Sequence, residues 1–215
     1  MSDIELLNWA RGPALQIAGM IFIIGMLLRV LEILLLGKKT DLSVARASAI
    51  PGGLRTIFTR SVPFRGMWSQ LIAGYIFHIG FLIILLFFTP HVLLFRDAFG
   101  WHLPELASPL IDVLTVITIA ALMFALFARL TDPVRRFLST SGDYIALLVT
   151  ALPLITGYMA VHRYTLPYTE MLAWHILSVN LLLIVMPFTK LTHAVTFVFA
   201  RYYNGAANAR KGVSV

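Results

Sequence analysis

Apolar residues gather in five long runs, separated by polar, basic or turn-forming stretches. The runs cover about Pro13–Leu36, Trp68–Leu94, Pro109–Leu130, Tyr144–Val161 and Met171–Arg201. A helix needs about 20 residues to cross a hydrocarbon core; four runs meet that length and the fourth in order is marginal. Gly12-Pro13 predicts a helix start, because proline is tolerated in a first turn. The expected fold is all-α: one integral-membrane domain over residues 1–215, a bundle of five transmembrane helices. No internal repeat is visible, and an odd number of spans argues against an inverted-repeat transporter.

Composition and charge sharpen this picture. The chain is 59% hydrophobic and 13% charged, far from the balance of a soluble domain. Its net charge of +7 is not a nucleic-acid signal, because the basic residues sort by membrane side. Residues 37–67 carry Lys38, Lys39, Arg46, Arg55, Arg60 and Arg65 against Asp41. The loop after the third span carries Arg129, Arg135 and Arg136, and the tail Arg201, Arg210 and Lys211. The remaining loops hold Arg11, Arg96 and Arg163 beside five carboxylates. The positive-inside rule therefore puts the N-terminus outside and the C-terminus in the cytoplasm. The location implied is the cytoplasmic membrane of a bacterium or archaeon.

The opening MSDIELLNWARGP is acidic and does not read as a cleaved signal peptide. The absence of cysteine excludes disulfides, thiol catalysis and iron–sulfur ligation by this chain. The 37–67 segment is too polar to span. Its LSVARASAIPGGLRTIFTR stretch, broken at Pro51-Gly52-Gly53, reads as a helix on the anionic inner leaflet, as a docking surface for a cytoplasmic subunit, or as both. Trp9, Trp68, Trp101 and Trp174 fall near span ends, as an aromatic belt would place them.

The chemistry lies in the six histidines. His175 and His193 share the last apolar run, eighteen residues apart. On a straight helix they would project from one face about 27 Å apart, nearly the depth of a hydrocarbon core. The assigned orientation gives facing pairs: His78 with His193 in the cytoplasmic half, His175 with His91 in the outer half. Two helices that each offer one neutral imidazole are what bis-histidine ligation of a b-type haem needs. Gly74 and Gly80 beside His78 would leave room for the macrocycle. Against this, a lone transmembrane histidine often just bonds across a helix interface. His91 is also about 220° around a straight helix from His78. Pro90 would end or kink that helix and redirect it, and His162 is the competing outer ligand.

These stretches resemble a known family. AGMIFIIGMLLR (18–29), FHIG (77–80), TPH (89–91) and HILSVNLLLIVMPFTKLTHAVTF (175–197) are similar to the cytochrome b gamma subunit of respiratory nitrate reductase, a five-helix dihaem protein. They also resemble its relatives in heterodisulfide-reductase-like and dissimilatory-sulfite-reductase-linked complexes. The resemblance implies that His78 and His193 hold the haem nearer the cytoplasm and that His175 is one ligand of the outer haem. It implies electron transfer between membrane quinone and a cytoplasmic-side iron–sulfur or heterodisulfide-reductase-like subunit. The chain departs from the nitrate reductase pattern at Phe88, where that family has a further histidine. The outer haem then takes His91 or His162, or is absent. GYMAVH ending at His162, with HVLLF, is closer to the heterodisulfide-reductase-like relatives.

Arg29, Arg65 and Lys190 sit at the inner depth where haem propionates would want cations; they serve equally as positive-inside anchors. His162, His102 and Tyr158 are the polar groups within reach of an outer quinone. Asp112 and Asp143, near span ends, read as capping or interfacial residues. No other catalytic apparatus is evident, so activity by this chain alone would be confined to a quinone site. The expected cofactors are two haems b, or one if the outer site is lost. The alternative is a haem-free membrane anchor.

Overall fold

The computed structural model describes residues 2–36, 48–58, 68–164 and 166–213. Among the described residues every regular element is helical and none is a strand. The helices are α1 (Asp3–Trp9), α2 (Leu15–Leu36), α3 (Ala49–Phe58), α4 (Trp68–Phe87), α5 (Thr89–Phe99), α6 (Ser108–Thr131), α7 (Pro133–Leu138), α8 (Ser141–His162), α9 (Tyr168–Val185) and α10 (His193–Arg210). Five stretches are long and apolar enough to cross a membrane: Asp3–Leu35, Trp68–Phe87, Ser108–Thr131, Ser141–His162 and Tyr168–Phe188. Many large apolar side chains are exposed, among them Ile24, Leu27 and Leu31 on α2 and Ile72, Ile76 and Ile79 on α4. Such exposure suits a lipid solvent and not water.

Three of the expected boundaries move, each at a proline. Gly12-Pro13 is a kink, not a start. The helix begins ten residues earlier under a Ser2–Glu5 capping box, and a wide turn over Ala10–Ala14, with Gly12 at φ −100°, ψ −105°, carries it past Pro13. The second span stops at Phe87: Phe88 is extended and Pro90 sits in the first turn of α5. The fifth run is not one helix. Pro187 has no N–H to donate to the Leu183 carbonyl and its ring clashes there. The chain passes through two 3₁₀ turns, with Thr189 extended between them, before α10 begins at His193. His175 and His193 therefore do not share a straight helix face. By contrast, Pro51 lies in the first turn of α3, and that helix runs unbroken through Gly52-Gly53.

The chain divides into two compact units. The first holds residues 1–16 and 66–182. Its core is Ile84, Ile111, Leu122, Ala151 and Leu154. α4 and α6 cross closely because Gly80 has no side chain; a methyl group there would strike the Thr118 hydroxyl. Gly80 is thus a packing residue, whereas Gly74 has open space around it. Thr115, Thr118 and Thr150 return their hydroxyls to carbonyls four residues back, as lipid solvation demands. Asp143 is buried and accepts from the Thr140 N–H and hydroxyl at 2.9 and 3.0 Å, with Arg129 3.4 Å away. Asn180, buried in α9, donates to the Ala10 carbonyl at 3.0 Å.

The second unit holds residues 17–65 and 183–215. Here α3 and α10 meet along small residues: Gly52 faces Ala209 and the Gly205 backbone, Gly53 faces the Tyr202 ring, and Gly205 faces Thr56. Thr56 donates toward the Arg201 carbonyl at 3.0 Å, and Arg201 Nε returns a bond to the Thr56 carbonyl at 2.7 Å. Gly25 gives α2 room beside Pro187. Arg29 donates to the Pro187 carbonyl at 3.0 Å and pairs with Glu32 at 2.7 Å.

Candidate functional site

The break at Phe88 positions the first element of the site. With α4 ended and α5 restarted over Thr89-Pro90, His91 no longer follows the rotation of His78. Its Nδ1 donates to the Ile84 carbonyl at 3.1 Å, and the Phe88 ring lies edge-on to it. His175, on α9, lies against α8 at Gly157. A Cβ at Gly157 would come within 3.0 Å of the His175 ring, so glycine is what admits the imidazole. The two rings stand 6.2 Å apart, centroid to centroid, and within 21° of parallel. A metal–imidazole bond of about 2.0–2.1 Å puts each ring centre about 3 Å from the metal, so two rings on opposite sides of one metal are about 6 Å apart.

The tautomers fit ligation through Nε2. A carbonyl can only accept, so an imidazole nitrogen bonded to one carries the proton. Nδ1 bonds to a carbonyl in His78 (Gly74, 2.7 Å), His91 (Ile84), His162 (Tyr158, 2.9 Å) and His193 (Lys190, 2.7 Å). In His175 it meets the Thr156 hydroxyl at 3.3 Å. In the four rings bonded to carbonyls the neutral imidazole keeps its lone pair on Nε2, the arrangement that orients a ligating histidine.

The other expected residues fall as follows. His78 is exposed on α4 in the first unit, and His193 opens α10 in the second. Lys190 lies in the turn before His193 and offers that ring its backbone carbonyl. Arg29 is already engaged by Glu32 and Pro187. Arg65 lies outside the described residues. His102 is exposed in the loop after α5. His162 ends α8 and faces Asp112, Nε2 to Oδ2 3.6 Å, with the Tyr158 ring tilted against its ring at 4.2 Å and Tyr164 stacked on it at 5.3 Å. Asp112 therefore does not act as a cap. Reading the sequence had overlooked Thr156, Gly157 and Ser178 around His175. Only Gly157 carried a signal, as a glycine inside an apolar run.

No protein-family model and no solved structure matches the chain. A protein of Nitratidesulfovibrio vulgaris (strain Hildenborough) is 32% identical over 203 residues, with 88% of each chain covered. The chain belongs to the same family as that protein. The shared coverage extends the family over most of the run of spans, not one segment of it.

Proposed function

We propose that this membrane protein is a b-type dihaem subunit of the nitrate-reductase-gamma-like and heterodisulfide-reductase-like kind, passing electrons between membrane quinone and a cytoplasmic-side iron–sulfur subunit. The observation that carries the reading is the His91–His175 pair, 6.2 Å apart and near-parallel. A bare metal ion takes three or four protein ligands, whereas a pair of imidazoles suits an iron already held by a macrocycle. Among the described residues no cluster of three ligating side chains competes with that pair. His91 and His175 would hold the outer haem; an inner haem follows from the sequence resemblance, with Gly74 leaving space beside His78. Bound haem supplies a one-electron redox centre at each position. His162 is assigned elsewhere, because it is occupied with Asp112. The asymmetry of basic loops supports an outside N-terminus and a cytoplasmic C-terminus, and the bacterial relative supports a cytoplasmic membrane.

The outer end of the first unit also holds a proton acceptor. His162 gives its Nδ1 proton to Tyr158, so its Nε2 lone pair and the Asp112 carboxylate face each other across 3.6 Å. Both are acceptors, and one proton placed between them turns a repulsive contact into a charge-assisted hydrogen bond. A hydroquinone hydroxyl is a suitable donor, with the aromatic faces of Tyr158 and Tyr164 beside it. Asp112→Asn is expected to slow quinol-dependent reduction of the protein at least tenfold, in the range a removed general base costs, with haem content unchanged. An unaltered rate would assign the pair to structure alone.

Pyridine haemochrome on the purified full chain, with reduced-minus-oxidised absorbance, tests the reading as a whole. About two b haems per chain is the expected result. One would reduce the protein to a single-haem subunit, and none, in cells supplied with haem, would leave a membrane anchor.

A further inference from the structure

His175 differs from His78, His91, His162 and His193: its Nδ1 meets a side-chain hydroxyl, with the Pro153 carbonyl a further acceptor beside the ring. Thr156 Oγ1 lies 3.3 Å from that nitrogen, 2.7 Å from the Leu152 carbonyl and 3.0 Å from Ser178 Oγ. Ser178 Oγ is in turn 2.7 Å from the His175 carbonyl. The hydrogens can be counted. Each hydroxyl has one to give. The Leu152 carbonyl can only accept and takes the Thr156 hydrogen at 2.7 Å, while the Ser178 hydrogen is shared between the His175 carbonyl at 2.7 Å and Thr156 Oγ1 at 3.0 Å. Thr156 then has lone pairs left and no hydrogen, so the Nδ1 contact is made by the ring donating to Oγ1. That leaves the proton on Nδ1 and turns Nε2 into the acceptor. Ser178 is buried and Thr156 is half-buried. In a lipid-enclosed site no water competes for these bonds. Gly157, the next residue on α8, supplies the clearance that lets the ring reach Thr156.

We propose that Thr156, backed by Ser178, is the positioning residue that fixes the His175 ring in its Nε2-ligating tautomer. The inference rests on the assignment of His91 and His175 to the outer haem. A hydrogen bond from Nδ1–H makes the ring a stronger donor to iron, and groups in that role change ligand affinity 10–100-fold when removed. Loss of the acceptor weakens donation to ferric iron more than to ferrous iron, so the potential rises.

The test compares the full-length holoprotein with its Thr156→Val and Thr156→Ser variants. It reads haem stoichiometry, low-spin electron paramagnetic resonance and the midpoint potential of each haem. The expected result is that Thr156→Val shifts the outer haem signal and raises its potential by at least a threefold change in equilibrium, about 28 mV at 59 mV per tenfold for one electron, or loses that haem alone. Thr156→Ser, which restores the hydroxyl, stays near the unaltered protein. Thr156→Val with both haems, their spectra and their potentials unchanged would overturn the inference. So would Thr156→Ser as impaired as Thr156→Val, since the methyl group and not the hydroxyl would then matter. Unaltered protein that binds no haem removes the parent reading itself, an outcome visible before any variant is made.

Discussion

On the proposed dihaem reading, His175→Ala is expected to lower the haem content from two b haems per chain to one, and His91→Ala is expected to give the same loss. The two rings stand 6.2 Å apart and near-parallel, so on the proposed reading each variant removes one of the two imidazoles that would hold the outer haem. The His175 ring lies against Gly157 and Thr156 of α8. The fold should persist and the inner haem remain. His162→Ala is the informative companion. If it, and not His91→Ala, abolished the outer haem, the Phe88 break would not define the site. Difference spectra and haemochrome on the three purified variants decide this.

The second large effect concerns the seam of α3 and α10. Gly205→Val places a branched side chain where Thr56 and the Gly52 carbonyl already stand. Neither can retreat, because Thr56 is tied by hydrogen bonds to the α10 backbone and to its own helix. The helices must separate, breaking the Thr56–Arg201 exchange, at a cost of about 3 kcal/mol or more. The expected readout is a lowered thermal midpoint in detergent and faster protease cleavage within residues 37–67. Gly74→Ala, a glycine with nothing around it, is the matched control and should leave stability within about 1 kcal/mol.

The spans were legible because crossing a bilayer imposes a length and an apolarity that few other structures share. Ser108–Thr131 departs by one residue at each end from its apolar run. What the pattern could not give was direction. Helical rotation assumes a straight axis, and on that assumption His91 lay about 220° around the helix from His78; the extended Phe88 before Pro90 redirects it. The same assumption put His175 and His193 on one stripe, which Pro187 breaks. Both prolines were visible, but a proline fixes where a helix fails and not where the chain goes next. The α3–α10 seam was illegible for another reason. Gly52-Gly53 read as a break because its counterpart, Gly205 with Ala209, lies about 150 residues away, and no local pattern links them. The Thr156–Ser178 network was hidden likewise: hydroxyls in apolar helices mostly bond their own backbone, as Thr115 and Thr118 do here.

Asn180 ties the chain's last crossing to its first. Its amide reaches back 170 residues to the Ala10 carbonyl, at the turn bent by Gly12 and Pro13. A ribosome makes these partners at opposite ends of its task. The bent turn enters the bilayer first and stays there while the rest of the protein is made. The amide emerges last, and it would be costly in lipid if nothing awaited it. The turn at Ala10 therefore serves as a landing point for α9, and a nascent chain arrested before α9 would leave that carbonyl without the Asn180 amide.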